Sequence, residues 1–206
     1  MTDSFPGSVV YWQRRYIKGG NSGAGSYGNL AKFKASIINK FVKNNNIYSV
    51  IEWGCGDGNQ LSLAKYNSYV GVDVSREVIK LCEKKFKNDR SKKFYVNDEV
   101  SILPEDKYDL SLSLDVIFHL IEDDMFESYM TNLFSSSNKF VIIYSSNNDK
   151  LLDPAIHVKH RKFTNWISIN AKSWSLMQKI NNKYPWDLDN NTLTSFSDFY
   201  IYQKLL

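Results

Sequence analysis

The chain has 206 residues and a net charge of +4, and 43% of its residues are hydrophobic. This composition predicts a single folded domain over residues 1–206 and argues against both disorder and a strongly electrostatic nucleic-acid binder. No apolar stretch reaches about eighteen residues, the sequence does not open on a signal-peptide pattern, and Cys55 and Cys82 form no disulfide or metal pattern. We therefore expect a cytoplasmic protein that neither binds a metal nor enters a membrane.

The first 29 residues combine an aromatic and basic run with a glycine-rich loop. The run is YWQRRY at positions 11–16, and the loop extends from Gly19 to Gly28. Such a loop is either a flexible connector or a lid that orders over a bound ligand, and its aromatic and arginine flank favours the lid. We predict a lid over residues 1–29 and a core over residues 30–206.

Apolar runs alternate with helical patterns through the rest of the chain. Seven runs predict strands, at residues 48–53, 69–72, 93–96, 108–114, 140–144, 174–180 and 199–204. Helical spacing predicts one helix over residues 30–42 and a second that begins at Ser75, whose hydroxyl can cap it. Strands joined by such helices run parallel, whereas the polar run around Pro185 predicts an antiparallel hairpin at the sheet edge. The chain is therefore predicted to have an α/β fold.

A glycine-rich turn follows the first predicted strand. The sequence VIEWGCGDGNQ at positions 50–60 is an apolar strand, a turn and the expected start of a helix. Glycines at alternate positions let the main chain come within contact distance of a ligand. Asn59 replaces the third glycine of a dinucleotide fingerprint, no Gly-Lys-Ser or Gly-Lys-Thr is present, and Glu52 would repel a pyrophosphate. The turn favours a ligand that carries an ammonium and a sulfonium.

Two more carboxylates end the next two predicted strands. Asp73 lies about 20 residues beyond the turn, where an acidic side chain reaches a ribose diol. Asp98 is either a turn former or an acceptor for an adenine amino group. Together with Glu52, these residues predict a three-point acidic recognition of an adenosine-type cation.

These motifs, with the run LDVIFHL at positions 114–120, resemble the ordered motifs of class I S-adenosylmethionine-dependent methyltransferases over roughly residues 47–145. The resemblance implies a three-layer Rossmann-like fold with a seven-stranded, mostly parallel sheet. It implies S-adenosyl-L-methionine as cofactor and S-adenosyl-L-homocysteine as product. The N-terminal run and loop resemble a bacterial subgroup often associated with sugar or surface-polysaccharide modification, which implies a role in capsule polysaccharide biosynthesis.

The resemblance also assigns the cofactor-binding residues. It implies that Gly54 and Gly56 face the amino-acid part of the cofactor and that Asp73 faces the ribose. Asp98 is then expected at the adenine, and residues 114–115 at the inner wall. The predicted cofactor set is Ser22, Gly23, Glu52, Gly54, Cys55, Gly56, Asp57, Asp73, Val74, Asp98, Leu114 and Asp115.

Three histidines are candidates for the base that methyl transfer to a hydroxyl often requires. His119 follows the fourth strand, while His157 and His160 lie in the segment HVKHRKF at positions 157–163. This segment is either a solvated basic face or an acceptor site in which Arg161 grips a phosphate or carboxylate. We hypothesise that His157 or His160 is the base, with His119 as a further candidate, and that Tyr27 contacts the acceptor.

The function predicted from the sequence is O-methylation of a small anionic or sugar-like acceptor, such as a phosphorylated or nucleotide-linked metabolite. We expect a monomer or homodimer that binds no nucleic acid. The alternatives are an RNA or protein methyltransferase, a noncatalytic cofactor-binding module that regulates a partner, and a nicotinamide dehydrogenase. Asp123 and Asp124 open a predicted helix, where carboxylates complement the helix dipole, and they predict no divalent metal.

Overall fold

The computed structural model describes residues 5–98, 107–151 and 155–205. Its strands, in chain order, are β1 (Ser49–Trp53), β2 (Ser68–Asp73), β3 (Lys92–Val96), β4 (Tyr108–Leu114), β5 (Ser137–Ser145), β6 (Trp174–Ile180) and β7 (Asp198–Lys204). Within the same ranges the α-helices are α1 (Ser8–Ile17), α2 (Gly28–Asn44), α3 (Arg76–Lys85), α4 (Asp123–Ser135) and α5 (Phe163–Asn170). No helix in this described part of the chain is both long enough and apolar enough to cross a membrane.

The strands form one sheet in the order β3-β2-β1-β4-β5-β7-β6. The pairs among β1 to β5 are all parallel. β7 runs antiparallel to both of its neighbours, β5 and β6. This arrangement confirms the predicted seven-stranded, mostly parallel Rossmann-like sheet with an antiparallel hairpin at its edge.

Helices cover both faces of the sheet because successive side chains of a strand point to opposite sides. On one face, Ile51 of β1 belongs to a core that also contains Met130 of α4 and Ile167 of α5. On the other face, Val50 of β1 belongs to a core that contains Ile38 of α2. The fold is therefore three-layered, and β1 is buried on both sides.

The strand order reverses at β1, which lies between β2 and β4. In open α/β sheets, ligands bind in the crevice outside the carboxyl ends of the strands at such a reversal. The carboxyl ends that meet here are Trp53 of β1, Asp73 of β2 and Leu114 of β4. This topology positions the site described below.

The segment after the glycine-rich turn does not form the helix predicted from the sequence. It contains only a single 3-10 turn, Leu61–Leu63. Asn39 of α2 holds the backbone that follows: its Nδ2 donates to the carbonyl of Leu63 and its Oδ1 accepts from the N–H of Lys65, both at 2.9 Å. Because β2 begins at Ser68, the chain has no room for a longer helix.

Helices α1 and α5 are additional to the predicted elements. α5 buries Phe163, Trp166 and Ile167, which have helical spacing. α1 is tied to the beginning of α4 through Ser8, whose N–H and Oγ donate to the carboxylate of Glu122 at 2.8 and 2.6 Å. The described part of the predicted lid segment, residues 5–29, is thus partly helical and packed against the core.

Candidate functional site

A central cavity lies at the carboxyl ends of β1, β2 and β4. Its lining includes ten of the sequence-predicted residues: Ser22, Glu52, Gly54, Cys55, Gly56, Asp73, Val74, Leu114, Asp115 and His119. The lid segment contributes Trp12 and Tyr16 to the same cavity. Residues from four distant parts of the sequence therefore meet around one enclosed space.

The glycine-rich turn presents bare main chain to this cavity. Gly56 has φ 56°, in the left-handed region that most side chains disfavour. A Cβ placed on Gly56 would lie 2.3 Å from the Oγ of Ser22, which is closer than real Cβ contacts allow. Glycine is required at this position both by the backbone conformation and by the close approach of Ser22 in the predicted lid segment.

Asp73 is buried where β2 meets the turn. Its carboxylate accepts hydrogen bonds from the N–H groups of Gly56 at 3.1 Å and Ser75 at 3.0 Å. Burial raises the pKa of Asp73 to about 6, although these hydrogen bonds counteract part of the rise. A carboxylate has about four acceptor positions, so Asp73 can still accept from the hydroxyls of a ribose.

Glu52 is a second buried carboxyl of the central cavity. The hydroxyl of Tyr69 donates to its Oε2 at 2.6 Å. Burial raises the pKa of Glu52 to about 7, while the Tyr69 hydrogen bond and the nearby Lys34 charge act in the opposite direction. A bound cation would favour the ionised form, which agrees with the expected sulfonium and ammonium groups.

Asp98 lies outside the cavity lining, contrary to its predicted place at the adenine. Its carboxylate forms an ion pair with the guanidinium of Arg76, at the beginning of α3. The preceding residue, Asn97, lines the cavity instead, and its N–H donates to the carbonyl of Asp73 at 2.8 Å. The cavity residue that comes directly after β3 therefore has an amide side chain rather than a carboxylate.

Asp57 joins the predicted lid segment to the turn rather than lining the central cavity. Its Oδ2 accepts from the N–H of Ser22 at 2.9 Å and from the hydroxyl of Tyr27 at 2.8 Å. Its own N–H donates to the Oγ of Ser22 at 2.8 Å. Burial alone would raise the pKa of Asp57, but hydrogen bonds from Ser22 and Asn59 outweigh it and hold the pKa below its usual value. We call these three hydrogen bonds with Ser22 and Tyr27 the latch. Tyr27, which was predicted to contact the acceptor, belongs to it.

A second cavity, here called the aromatic cavity, adjoins the first. Its ring-bearing walls are Trp12, Phe118, His119, His157, Trp186 and Phe196. Four residues, Trp12, Ser22, Asp115 and His119, line both cavities. Gly23, predicted at the cofactor, lines the aromatic cavity instead. The two spaces therefore meet at these shared side chains.

His119 has a fixed orientation at this junction. Its Nδ1 donates to the carbonyl of His157 at 3.0 Å, because a carbonyl can only accept, and the two imidazoles stack at 5.3 Å. Burial lowers the pKa of His119 to about 4, so the ring is neutral at pH 7. With the proton on Nδ1, the Nε2 lone pair of His119 is available as a base.

The segment after β5 contributes only in part to the site. His157 lines the aromatic cavity, where its ring stacks on Tyr11 at 4.6 Å. His160 lies in neither cavity: it is 7% exposed, and its Nδ1 is 2.6 Å from the Oγ of Ser146. Its predicted role as base is not supported by this placement.

Arg161 faces a different part of the surface. Its guanidinium pairs with Asp123 at 2.5 Å and donates to the carbonyls of Leu120 and Ile121. These partners engage both terminal nitrogens of the guanidinium, Nη1 and Nη2, which were expected to grip an acceptor anion. Among the described residues, no group of three or more His, Cys, Asp or Glu side chains could hold a metal ion.

Lys34 is a site residue that the sequence reasoning missed. It is completely buried on α2, lines the central cavity, and its Nζ lies 2.6 Å from Oδ2 of Asp115. A signal was present, because Lys34 interrupts the apolar face that predicts this helix. A charged residue on such a face is expected to have a buried partner.

Comparisons with known proteins agree with this geometry. Residues 50–139 match the family model described as a methyltransferase domain. No curated protein matches the sequence.

Three solved structures share the fold at low sequence identity. Magnesium protoporphyrin IX methyltransferase (ChlM) from Synechocystis PCC 6803, with bound S-adenosylhomocysteine, has a TM-score of 0.67 and 16% identity over 95% of this chain and 97% of that chain. N-methyltransferase NodS from Bradyrhizobium japonicum WM9 has a TM-score of 0.65 and 12% identity, over 85% and 87% respectively. The methyltransferase domain of bacterial CtHen1-CN has a TM-score of 0.63 and 20% identity, over 85% and 100%.

Proposed function

We propose that this chain is an S-adenosylmethionine-dependent methyltransferase and that it transfers the methyl group to a hydroxyl of a small sugar-like acceptor. The observation that carries the proposal is the junction of the two cavities, where His119 lines both. One cavity has the bare main chain and buried carboxyls that suit the cofactor. The other has the aromatic walls that suit an acceptor ring.

The residues that line the central cavity suit the chemical groups of the cofactor. Gly54 and Gly56 would lie along the amino-acid part, Asp73 would accept from the ribose hydroxyls, and Glu52 would offset the positive charge. When bound, the cofactor supplies a methyl group attached to a sulfonium sulfur, and the loss of that methyl group converts the sulfonium into a neutral thioether. The protein's own task is to align the acceptor oxygen and exclude water.

His119 is the base in this proposal. The acceptor hydroxyl loses its proton as the new oxygen–carbon bond forms, and Nε2 of His119 takes that proton. The hydrogen bond from Nδ1 to the His157 carbonyl fixes the tautomer that leaves Nε2 free to do so. His157 thus acts by orienting His119 rather than as the base.

The walls of the aromatic cavity favour a sugar-like acceptor over an anionic one. Aromatic side chains pack well against the apolar face of a ring and leave its hydroxyls to polar groups. Arg15 is the only lysine or arginine of the described residues that lines this cavity, and its Nε already donates to the carbonyl of Asn21 at 2.7 Å. The resemblance to a subgroup associated with surface polysaccharides supports the same choice, and we propose a cytoplasmic role in capsule or surface-polysaccharide biosynthesis.

Methyl uptake from radiolabelled S-adenosylmethionine tests the proposal. The acceptor panel contains uncharged methyl hexosides, uridine and deoxythymidine diphosphate hexoses, hexose phosphates and unmodified small RNA. We expect label in at least one sugar and none in RNA. Label in RNA alone would replace the proposal with the RNA alternative, since one structural neighbour is titled small RNA methyltransferase HEN1.

A further inference from the structure

Lys34 and Asp115 form an ion pair at the junction of the two cavities. Lys34 lines the central cavity, Asp115 lines both cavities, and the lysine side chain is 1% exposed. Well-packed apolar residues often stabilise such a position at least as well as a buried ion pair. Stability alone therefore does not account for two charged groups at this place.

The carboxylate of Asp115 is held in one direction. Asp115 adopts φ 59°, an uncommon value for a residue other than glycine, and its N–H donates to the carbonyl of Tyr144 at 2.8 Å. Ser197 donates to Oδ1 at 2.9 Å, while Lys34 donates to Oδ2 at 2.6 Å. These two bonds leave about two acceptor positions of the carboxylate for another donor.

Gly25 of the predicted lid segment lies directly against this carboxylate. A Cβ placed on Gly25 would lie 2.7 Å from Oδ2 of Asp115, so only a residue without a side chain fits there. The contact gives the glycine-rich loop a specific partner at the edge of the aromatic cavity. An acceptor in that cavity would be enclosed between the lid and Asp115.

We propose that Asp115 recognises the acceptor by accepting a hydrogen bond from a hydroxyl adjacent to the one that is methylated. Asp115 and His119 line the same two cavities, so one ring can present neighbouring hydroxyls to the two side chains. Lys34 is a positioning residue that holds the Asp115 carboxylate directed to the junction. The inference rests on the proposed function and narrows the acceptor to rings with vicinal hydroxyls.

Two small ring probes test this recognition without knowledge of the natural acceptor. The probes are trans-1,2-cyclohexanediol and cyclohexanol, and their binding to the complex with S-adenosylhomocysteine is followed by saturation-transfer NMR. We expect the diol to bind about tenfold more tightly, the increment of a hydrogen bond to a charged group. In Asp115→Asn the preference for the diol disappears, because the amide is uncharged; asparagine also tolerates the left-handed backbone.

Asp109→Asn is the matched control, because Asp109 lies at the other end of β4 and pairs with Lys139 at 2.9 Å. We expect it to retain the diol preference. In Lys34→Met the preference falls while cyclohexanol binding does not change, which a purely structural role would not produce. If Asp115→Asn does not fold, the neutral double variant Lys34→Met with Asp115→Asn provides the same comparison.

The outcomes separate this inference from the proposed function. A wild-type complex without diol preference, or an Asp115→Asn variant that retains it, overturns the inference. A diol preference that depends on Asp115, combined with no sugar methylation in the acceptor panel, would support the recognition and contradict the proposed reaction.

Discussion

The central cavity and the aromatic cavity are built in different ways. The central cavity depends on main chain, as in the turn around Gly56, and on carboxyls near the ends of neighbouring strands, Glu52 of β1 and Asp73 of β2. The aromatic cavity depends on side chains that are far apart in the sequence, from Trp12 to Phe196. The groups expected to bind the cofactor thus come mainly from β1, β2 and the turn between them, which are close in the sequence, whereas the rings of the aromatic cavity are brought together by the whole fold.

This difference implies that the two functions of the site are separable by mutation. Substitutions in the aromatic cavity should change turnover and leave cofactor affinity nearly constant. Substitutions in the glycine-rich turn should first change cofactor affinity. The predictions below test this separation.

The largest effect is expected for His119→Gln. Loss of a general base lowers kcat by about 10²- to 10⁴-fold. Glutamine retains a polar side chain of similar size, so the dissociation constant of S-adenosylhomocysteine should stay within about twofold. Steady-state kinetics with the sugar identified in the acceptor panel, together with calorimetry, measure both quantities.

His160→Gln is the matched comparison for His119→Gln, because His160 lies outside both cavities. We expect most of the turnover to remain in any fraction that folds. A loss of turnover in His160→Gln equal to that in His119→Gln would contradict the assignment of His119 as the base and favour His160 in that role.

The next effect is expected for Gly56→Ala on the cofactor side. The added Cβ would meet Ser22 Oγ at 2.3 Å and would strain the backbone. We expect the dissociation constant of S-adenosylhomocysteine to rise about 10- to 100-fold, which corresponds to about 1–3 kcal/mol.

Gly19→Ala separates strain from the loss of close approach. Gly19 also has positive φ, 77°, but a Cβ there would have nothing within 4 Å. It should therefore leave cofactor affinity almost unchanged. Equal weakening in Gly19→Ala and Gly56→Ala would show that contact at the turn is not the cause.

A smaller effect is expected from pH. Burial raises the pKa of Glu52 to about 7 and that of Asp73 to about 6, so both carboxyls ionise between about pH 5 and 8. Ionisation favours the cation S-adenosylmethionine over S-adenosylhomocysteine, which lacks the sulfonium charge. The affinity ratio of the two should rise about tenfold from pH 5.5 to 7.5, since one pKa unit corresponds to about 1.4 kcal/mol.

Glu52→Gln should flatten this pH dependence, because one of the two titrating groups is removed. At these two carboxyls the folded protein binds more protons than the unfolded chain in this window, and the lowered pKa of His119 offsets only part of this difference. The free energy of unfolding should therefore fall as pH rises from about 5 to 8. Urea unfolding at both ends of the window that shows the opposite trend would contradict the burial of these carboxyls.

The smallest effect is expected for Tyr27→Phe, which removes one hydrogen bond from the latch. The Tyr27 hydroxyl donates to Asp57 at 2.8 Å and the side chain is partly exposed. We expect the dissociation constant of S-adenosylhomocysteine to rise about threefold, within the range of a single hydrogen bond. A rise larger than that of Gly56→Ala would make the latch, and not the turn, the main determinant of cofactor binding.

The sequence predicts the sheet and the cofactor side well because both depend on local patterns. Apolar runs separated by helices predict the parallel strands, and the turn with Asp73 predicts where the cavity lies. The prediction of a helix after Gln60 is wrong, because Asn39 of α2 forms hydrogen bonds with the backbone of that segment. Contacts of this kind have no local signal.

The acceptor side was predicted only in part for the same reason. His119, His157, His160 and Arg161 look equivalent in the sequence, and only the packing of the folded chain separates their surroundings. Arg161 forms an ion pair with Asp123 and His160 packs beside Ser146. The sequence shows Lys34 as a lysine on an apolar helix face, which indicates a buried partner. That partner, Asp115, is 81 positions away and has no local pattern that identifies it.

The most direct test of the two-part site is calorimetric titration of S-adenosylhomocysteine into the wild type and His119→Gln in parallel. We predict one equivalent bound per chain with nearly the same affinity in both proteins. Absence of heat in the wild type, or a large loss of affinity in His119→Gln, would contradict the division of the site into a cofactor cavity and an acceptor cavity.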